Sequence, residues 1–287
     1  MINHMKLGSV SERCRLLNLS RSAYYAGPRQ KEAKRQKDQE VVERLRRLAK
    51  DKKYKLGVKG LTMRYTRAYK EPINHKKVAR IKREYDIPTT IRQRRYKTPE
   101  QPKPQDHMVI PENILNREFN VDSPFKVTGT DVTYLWLPKL SRFAYLANVR
   151  DMATGEYLGW SVSFFNDQTL ADASVLHVLE RHPSVPKECL LHSDRGGTYT
   201  SEHFQKDMLR GNGFTPSMSR KGNCIDNAPT ESGHGHLKDW LELKDCKNLT
   251  DVREEVNRVI HYFNEERPQW HRKKMTPVEY RCHLLQK

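Results

Sequence analysis

The chain has 287 residues, of which 36% are hydrophobic and 31% are charged. This balance is apolar enough for a folded core and excludes a disordered chain. No run of about eighteen apolar residues occurs, and the polar first residues contain no secretory signal, so neither a membrane partner nor secretion is expected. Five scattered cysteines argue against structural zinc and a disulfide framework, and they suit a reducing cytoplasm.

The net charge of +18 is concentrated in the first third of the chain. Residues 1–100 contain 29 basic and 10 acidic side chains, whereas residues 101–287 contain 24 and 25. This asymmetry predicts one part that faces a polyanion, and the usual polyanion is nucleic acid, whose binding releases counterions. A solubilising basic tail or a ribosome-type contact is the alternative.

The first residues predict two short helices across a tight turn. Ser11 is expected to cap a helix that turns Cys14 and Leu17 inward, and Ser20 is expected to cap a second helix over residues 21–25. This pattern is typical of a helix-turn-helix, although an ordinary helical hairpin is the simpler interpretation.

Residues 31–50 predict a basic amphipathic helix, and residues 57–87 predict a second helical pair. Asn74 is a good N-cap for the second helix of that pair, which leaves basic residues outside in its first turns. Such a helix resembles one that reads the major groove of DNA, and the basic segment after it is expected to contact phosphates. The candidate DNA-binding residues here are Lys76, Lys77, Arg80, Arg92, Arg94 and Arg95.

Prolines at positions 99, 102, 104 and 111 predict a linker, which we place at residues 99–122. It separates two N-terminal segments, 1–50 and 51–98, from a region rich in β-branched and aromatic residues. That region predicts an antiparallel meander of three strands over residues 126–137, 143–150 and 157–165. Further helices are predicted over 170–182, 201–210, 228–243 and 250–263, with strands over 188–192 and 214–219. This order predicts a mixed-sheet α/β domain.

Three acidic residues occupy positions that suggest a functional role for their carboxylates. Asp131 lies inside the first strand, where burial is costly unless the charge is paired or binds a metal. Asp194 directly follows a buried strand, and Glu231 lies in a helix that begins near Pro229. Each acid could instead be a cap or a salt-bridge partner, and Asp151 is interpreted as a turn acid.

Three carboxylates brought together repel one another, and a divalent cation reverses the sign of that interaction. Carboxylate oxygens are the ligands that Mg²⁺ prefers. Two such ions about 4 Å apart can activate an attacking oxygen and stabilise the leaving oxygen of a phosphodiester. This chemistry needs no covalent protein nucleophile.

Several stretches resemble bacterial insertion-sequence transposases of the OrfB type, whose catalytic core is a retroviral-integrase-like (rve) DDE domain. Thirty-six residues separate Asp194 from Glu231, which is close to the spacing in that family. Residues 54–95 resemble the helix-turn-helix module that precedes the core. The stretches that carry the core resemblance are 130–134, 192–201, 217–224, 226–232, 264–268 and 275–280.

The resemblance implies an RNase H-like catalytic domain at residues 123–240, preceded by all-α helix-turn-helix DNA-binding segments and followed by a C-terminal helical extension at 241–287. It implies a transposase that binds the ends of its element and catalyses metal-dependent DNA cleavage and strand transfer. A non-joining nuclease of the same fold is one alternative. A catalytically impaired or domesticated sequence-specific DNA-binding protein is the other.

The resemblance also implies a set of site residues and partners. Asp131, Asp194 and Glu231 would hold two Mg²⁺ ions, with Mn²⁺ as a substitute. Arg220 and Lys221 would hold DNA phosphates, although a solvated basic turn fits them equally well. The implied partners are double-stranded DNA at the element ends and target, further copies of this chain, and the product of an upstream reading frame. The implied location is the bacterial cytoplasm, at the nucleoid when bound to DNA.

The sequence departs from the family pattern at three places, and the glycine after Glu231 is expected to weaken the helix that carries this acid. Gly129 stands where a larger residue is usual, Ile225 where tryptophan is usual, and Gly233-His234 where aromatic residues are usual. A glycine inside a helix costs about 1 kcal/mol relative to alanine. His234 and His236 form a His-x-His pair, but on a helix they point to different sides, so no metal site is expected there.

Overall fold

The structure, a computed structural model, describes residues 9–50, 56–88, 108–183 and 189–286. The chain divides into two compact units, residues 1–90 and residues 91–287. Three candidate DNA-binding residues, Arg92, Arg94 and Arg95, lie outside the described residues, as do positions 99–107 of the predicted linker.

The described part of the N-terminal unit is helical, with α1 (Val10–Leu16), α2 (Arg21–Lys50), α3 (Val58–Tyr69) and α4 (His75–Glu84). The N-cap of α1 is Ser9, whose hydroxyl accepts the Glu12 amide while the Glu12 carboxylate accepts the Ser9 amide. The prediction of Ser11 as the cap is wrong, because Glu12 completes the capping box with Ser9. Cys14 is buried as predicted, whereas Leu17 is 42% exposed.

Helix α2 is continuous, so the two helices predicted over residues 21–25 and 31–50 are one element. The residues that follow Pro28 are mostly strong helix formers, and their propensity favours continuation of the helix. The predicted turn before α2 is present, and Asn18 adopts a left-handed conformation there with a φ of 50°. Whether α1 and α2 bind DNA as a helix-turn-helix stays a prediction.

Helices α2, α3 and α4 share an apolar core. The predicted N-cap of α4 is confirmed, since Oδ1 of Asn74 accepts the amide of Lys76 at 2.8 Å. The amphipathic spacing read from residues 31–50 and 57–87 places apolar side chains in this core. Its buried members include Val42, Leu45, Leu48, Leu61, Tyr65, Val78 and Ile81.

In the part of the chain that the structure describes, the C-terminal unit is built on a five-stranded mixed sheet. These are β1 (Val127–Leu137), β2 (Arg142–Asp151), β3 (Tyr157–Ser163), β4 (Cys189–Ser193) and β5 (Phe214–Met218), in the spatial order β3-β2-β1-β4-β5. β1, β2 and β3 are antiparallel neighbours, whereas β4 runs parallel to β1 and to β5. The predicted meander and mixed sheet are therefore confirmed, with β5 at the edge.

The helices of this unit are α5 (Gln168–Arg181), α6 (Ala228–Trp240), α7 (Leu249–His261) and α8 (Pro277–Leu285). Wide helical turns at Phe204–Leu209 and Tyr262–Glu266 accompany them. The sequence reading missed α8. Thr276 and Glu279 form a capping box at its start, and this pattern is a signal that was available in the sequence.

Helices α5 and α6 cover opposite faces of the sheet. Val149 of β2 lies in one apolar cluster with Val175 and Val178 of α5. Its neighbour in sequence, Asn148, contacts His234 of α6. Since successive strand residues point to opposite faces, α5 packs on one face and α6 on the other. The face under α6 carries the acidic site.

Candidate active site

Asp131 and Asp194 are brought together by the pairing of the parallel strands β1 and β4. Gly129 of β1 pairs with His192 of β4, and each acid stands two residues beyond this pair along the chain. Asp131 therefore lies in the middle of β1, and Asp194 lies just beyond the C-terminal end of β4. The carboxyl ends of parallel strands are where sites form in α/β sheets.

Glu231 reaches the same region from α6, which approaches β1 closely. A Cβ at Gly129 would lie 2.3 Å from Oγ1 of Thr230 and 3.0 Å from Cε of Met152, so a larger side chain in this position would force Thr230 of α6 to move. Pro229 stands in the first turn of α6, where its missing amide proton is not needed. The departure at Gly129 thus has a physical reason, which is the close packing of α6 on β1.

Gly233 leaves room for two side chains that hold α6 in place. Arg150 donates from Nη1 to the carbonyl of Pro229 at 3.1 Å, and the Tyr157 hydroxyl donates to the carbonyl of Gly233 at 3.0 Å. A Cβ at Gly233 would lie 2.6 Å from Nη1 of Arg150. The third departure, Ile225, is 55% exposed and touches no core.

The three acids influence one another electrostatically. Burial raises the pKa of Asp194 to about 6, the charges of Asp131 and Glu231 raise it as well, and a hydrogen bond from the Gly196 amide opposes the change. Burial and the charge of Asp131 also raise the pKa of Glu231. Carboxylates disfavour one another's charged forms only at short range, so the three groups occupy one electrostatic site.

His234 contacts the first acid. Nδ1 of its ring lies 3.3 Å from Oδ2 of Asp131, and Nε2 lies 2.6 Å from Nδ2 of Asn148. The side chain is buried, whereas His236 is exposed, so the two rings of the His-x-His pair point to different environments as expected. No sequence pattern indicates the contact between His234 and Asp131, because the contact depends on how α6 lies on β1.

The arrangement is not a closed metal cage. Across the described residues, no three His, Cys, Asp or Glu side chains converge so that they could hold a metal ion. Asp151, the competing acid, is a turn acid as interpreted from the sequence. Its carboxylate accepts the amides of Phe125 and Thr154 and the Thr154 hydroxyl.

The candidate DNA-binding residues of α4 differ in their surroundings. Lys76 is exposed. Lys77 and Arg80 both contact the buried carboxylate of Asp38 in α2, at 3.1 and 2.6 Å, and Arg80 also pairs with Glu84. Lys77 and Arg80 therefore help to join α4 to α2, so each has a structural role whether or not it contacts DNA.

Arg220 and Lys221 also differ, although they are adjacent. Arg220 donates from Nε and Nη2 to the carboxylate of Asp226, whose side chain is fully buried. Arg117 and Asn113 donate to the same carboxylate, and together these contacts hold the pKa of Asp226 well below its usual range. Lys221 is exposed. The sequence reading missed Asp226 as the centre of this network.

Comparisons with known proteins identify the family of the chain. Residues 122–224 and residues 212–277 each match an integrase core domain family. A putative transposase of insertion sequence IS150 from Escherichia coli (strain K12), InsK, is 29% identical over 95% of this chain and 93% of its own length. An uncharacterized transposase-like protein of Haemophilus influenzae is 30% identical over 74% of this chain and 95% of its own length. The chain belongs to the insertion-sequence transposases.

The transposase is a polynucleotidyl transferase that acts on DNA, with an integrase core domain. The mixed sheet with its flanking helices and the integrase core matches confirm the predicted α/β core, and the segment before it is helical as predicted, whereas its helix-turn-helix character stays a prediction. Because its relatives are named transposases, the impaired DNA-binding protein and the non-joining nuclease are not favoured.

The magnesium complex of the HTLV-2 integrase catalytic core domain aligns with 55% of the transposase and 97% of its own chain, at 17% identity and a TM-score of 0.45. Within the described residues, no helix of the transposase is both long and apolar enough to span a membrane.

Proposed function

We propose that this transposase cleaves DNA at the ends of its element and joins the freed ends to target DNA, with Asp131, Asp194 and Glu231 as its catalytic acids. The observation that carries the proposal is their placement: Asp131 lies on β1, Asp194 follows the parallel strand β4, and Glu231 lies on α6, which packs on β1. Their electrostatic coupling supports it. Asp131 and Glu231 raise the pKa of Asp194, and Asp131 raises the pKa of Glu231. Coupled carboxylates at the end of a parallel strand are typical of a functional site.

The donor chemistry of this site suits divalent cations. Three carboxylates from β1, the end of β4 and α6 offer only oxygen ligands, which is the set that Mg²⁺ and Mn²⁺ prefer. A nearby cation also offsets the repulsion that raises the pKa of Asp194. Two bound Mg²⁺ ions, or Mn²⁺ in their place, would supply the charge that activates the attacking oxygen and stabilises the leaving oxygen.

The reaction consists of two substitutions at phosphorus. In the first, a water oxygen bonds to the phosphorus at the element end, and the 3′ oxygen leaves as a hydroxyl. In the second, that 3′ oxygen bonds to a target phosphorus, and a target 3′ oxygen leaves. The carboxylates orient the reacting groups and receive no covalent bond. Asp194 is held for this role by the Gly196 amide, which donates to its Oδ1 at 2.9 Å.

The proposed DNA contacts are electrostatic. The first hundred residues hold 29 basic side chains against 10 acidic ones, which suits a duplex backbone. Lys76 and Lys221 are exposed and are the strongest candidates for phosphate contacts. Lys77, Arg80 and Arg220 each have a carboxylate partner, so their proposed DNA contacts would add to a structural role. Arg92, Arg94 and Arg95 are further proposed phosphate contacts, and only the sequence supports them.

The proposed reaction also sets the partners. Two element ends and a target must be held together, which favours a homo-oligomer assembled on double-stranded DNA. The product of an upstream reading frame is a further proposed partner. The proposed setting is the bacterial cytoplasm, at the nucleoid.

A joining assay tests this function. Labelled DNA with the element ends is incubated with the full chain, a plasmid target and Mg²⁺ or Mn²⁺. We expect nicked ends and joined product from the unmodified protein and neither from Asp131→Asn, which should still bind the ends. Glu180→Gln is the matched control, because Glu180 is an exposed carboxylate on α5.

Each of the other outcomes of this assay would indicate a different function. Cleavage without joined product identifies a nuclease. Binding of the ends without chemistry in either metal identifies a regulator, provided that addition of the upstream product does not restore joining. Equal joined product from Asp131→Asn and the unmodified protein would remove Asp131 from the mechanism.

A further inference from the structure

Two geometric relations bring His234 to Asp131. Glu231 and His234 are three residues apart on α6 and therefore lie on one face of the helix. Asp131 and Asn148 are directly paired across β1 and β2 and therefore lie on one face of the sheet. The helix face that carries Glu231 thus places the His234 ring over both members of the strand pair.

The contacts of the ring determine where its proton lies. Nδ2 of Asn148 is an amide nitrogen, which can donate a hydrogen bond but cannot accept one. With the amide in this orientation, Nδ2 lies 2.6 Å from Nε2 of His234 and Nε2 is the acceptor, while Oδ1 of Asn148 is buried without a partner among the described residues. In a neutral imidazole the proton is then on Nδ1, which lies 3.3 Å from Oδ2 of Asp131. The proton of the ring therefore faces the carboxylate.

The Asp131 carboxylate is consequently contacted at both oxygens. Oδ1 accepts the amide of Val132 at 2.8 Å, and Oδ2 faces Nδ1 of His234. The His234 ring and its neighbour Asn148 are shielded from water, since His234 is 5% exposed and Asn148 is fully buried. A hydrogen bond at one oxygen and a close ring contact at the other restrict the orientation of the carboxylate, which a ligating or reacting group requires.

We propose that His234 is a positioning residue for Asp131 and that Asn148 sets its tautomer. His234 acts through the carboxylate and need not touch DNA. The proposal rests on the proposed catalytic role of Asp131. It assigns a function to one of the residues by which this chain departs from the family pattern.

The tautomer is measured directly in the metal-free full chain. Long-range ¹H–¹⁵N correlation spectra of protein labelled at histidine resolve protonated from unprotonated ring nitrogens, and His234→Phe identifies the signal. We expect the proton on Nδ1 in the unmodified protein and a shift towards Nε2 in Asn148→Leu. A ring of the unmodified protein with its proton on Nε2 would overturn the proposal, whether or not any variant folds.

The functional test uses three variants with matched melting temperature. His234→Phe keeps a ring but removes the donor, His234→Asn places an amide donor near the position of Nδ1, and His236→Phe is the control on the exposed side of α6. We expect His234→Phe to lower kcat for joining and the affinity for Mn²⁺, measured by calorimetry, by about 10–100-fold. His234→Asn should restore most of both, and His236→Phe should change neither.

The failures of the two proposals are distinguishable. If Asp131→Asn abolishes joining while His234→Phe retains full kcat and Mn²⁺ affinity, the positioning role is refuted and the catalytic role of Asp131 stands. If Asp131→Asn retains joining, the proposed function itself fails. Equal losses in His234→Phe and His234→Asn would also refute the positioning role, since the restored donor would then have no effect.

Discussion

Glu156 and Arg281 form an ion pair that joins the C-terminal helix α8 to the turn between β2 and β3. Nε of Arg281 lies 2.8 Å from Oε2 of Glu156, and Glu156 is only 1% exposed. Burial raises the pKa of Glu156 to about 7, although the positive charge of Arg281 opposes this. The C-terminal stretch is therefore an integral part of the core unit.

Removing Arg281 is expected to destabilise the C-terminal unit. Arg281→Met leaves the Glu156 carboxylate buried without its partner, which should lower the free energy of unfolding by about 3 kcal/mol at pH 8. The coupling energy between the two side chains is measured by denaturant titrations of Arg281→Met, of Glu156→Gln and of the double variant that carries both changes. A double variant no more stable than Arg281→Met would contradict this account.

The titration of Glu156 is expected to make the free energy of unfolding depend on pH. The folded pKa is about 7, above the ordinary 4.5, so folding takes up a proton between these values. The stability contribution is therefore present below about pH 4.5 and is lost as pH rises through 7. Relative to Glu156→Gln, the unmodified protein should lose on the order of 3 kcal/mol over that range. Parallel stability curves for the two proteins would refute the assignment.

Gly159 is expected to tolerate no side chain. A Cβ there would lie 2.4 Å from the carbonyl oxygen of Ser174 and 2.7 Å from the amide nitrogen of Val178, both in the backbone of α5. Gly159→Ala should push α5 away from β3 and destabilise the unit by about 1–3 kcal/mol in thermal or denaturant unfolding. Gly211→Ala is the control, since its nearest contact would be an ordinary 3.7 Å. Equal stability of the two variants would contradict the close approach.

Arg220 and Lys221 should separate stability from DNA binding. Lys221→Ala is expected to weaken binding evenly across sequences and to reduce the slope of log affinity against log salt by about 1, with an unchanged melting temperature. Arg220→Ala removes donors from buried Asp226 and should lower the melting temperature. The two effects are compared by salt-dependent binding and thermal unfolding. An unchanged melting temperature in Arg220→Ala would show that the network is not stabilising.

The parts of the molecule that the sequence predicted are those fixed by local pattern. The β-branched and aromatic residues of β1 and the N-cap at Asn74 are examples, because each depends on neighbours within a few residues. The errors at α1 and α2 are also local. Serine is a common capping residue, so Ser9 and Ser11 are both candidates for the N-cap of α1. Only the position of Glu12, three residues after Ser9, distinguishes them.

The contacts missed from the sequence link residues far apart in the chain. Asp226 receives donors from Arg117, and His234 contacts Asp131 and Asn148, so each depends on how separate elements pack. The same limit applies to Gly129. In the sequence it is a departure from a family pattern, and only the approach of Thr230 explains why no larger residue fits.

The most direct test of the account is the single-turnover rate of joining by Glu231→Gln beside Glu180→Gln. Both variants replace a glutamate on a helix with its neutral isostere, but only Glu231 shares the electrostatic site of Asp131. We predict that Glu231→Gln binds the element ends normally and joins them on the order of 10⁴-fold more slowly, whereas Glu180→Gln retains the full rate. A Glu231→Gln protein that joins as fast as Glu180→Gln would contradict the three-acid site.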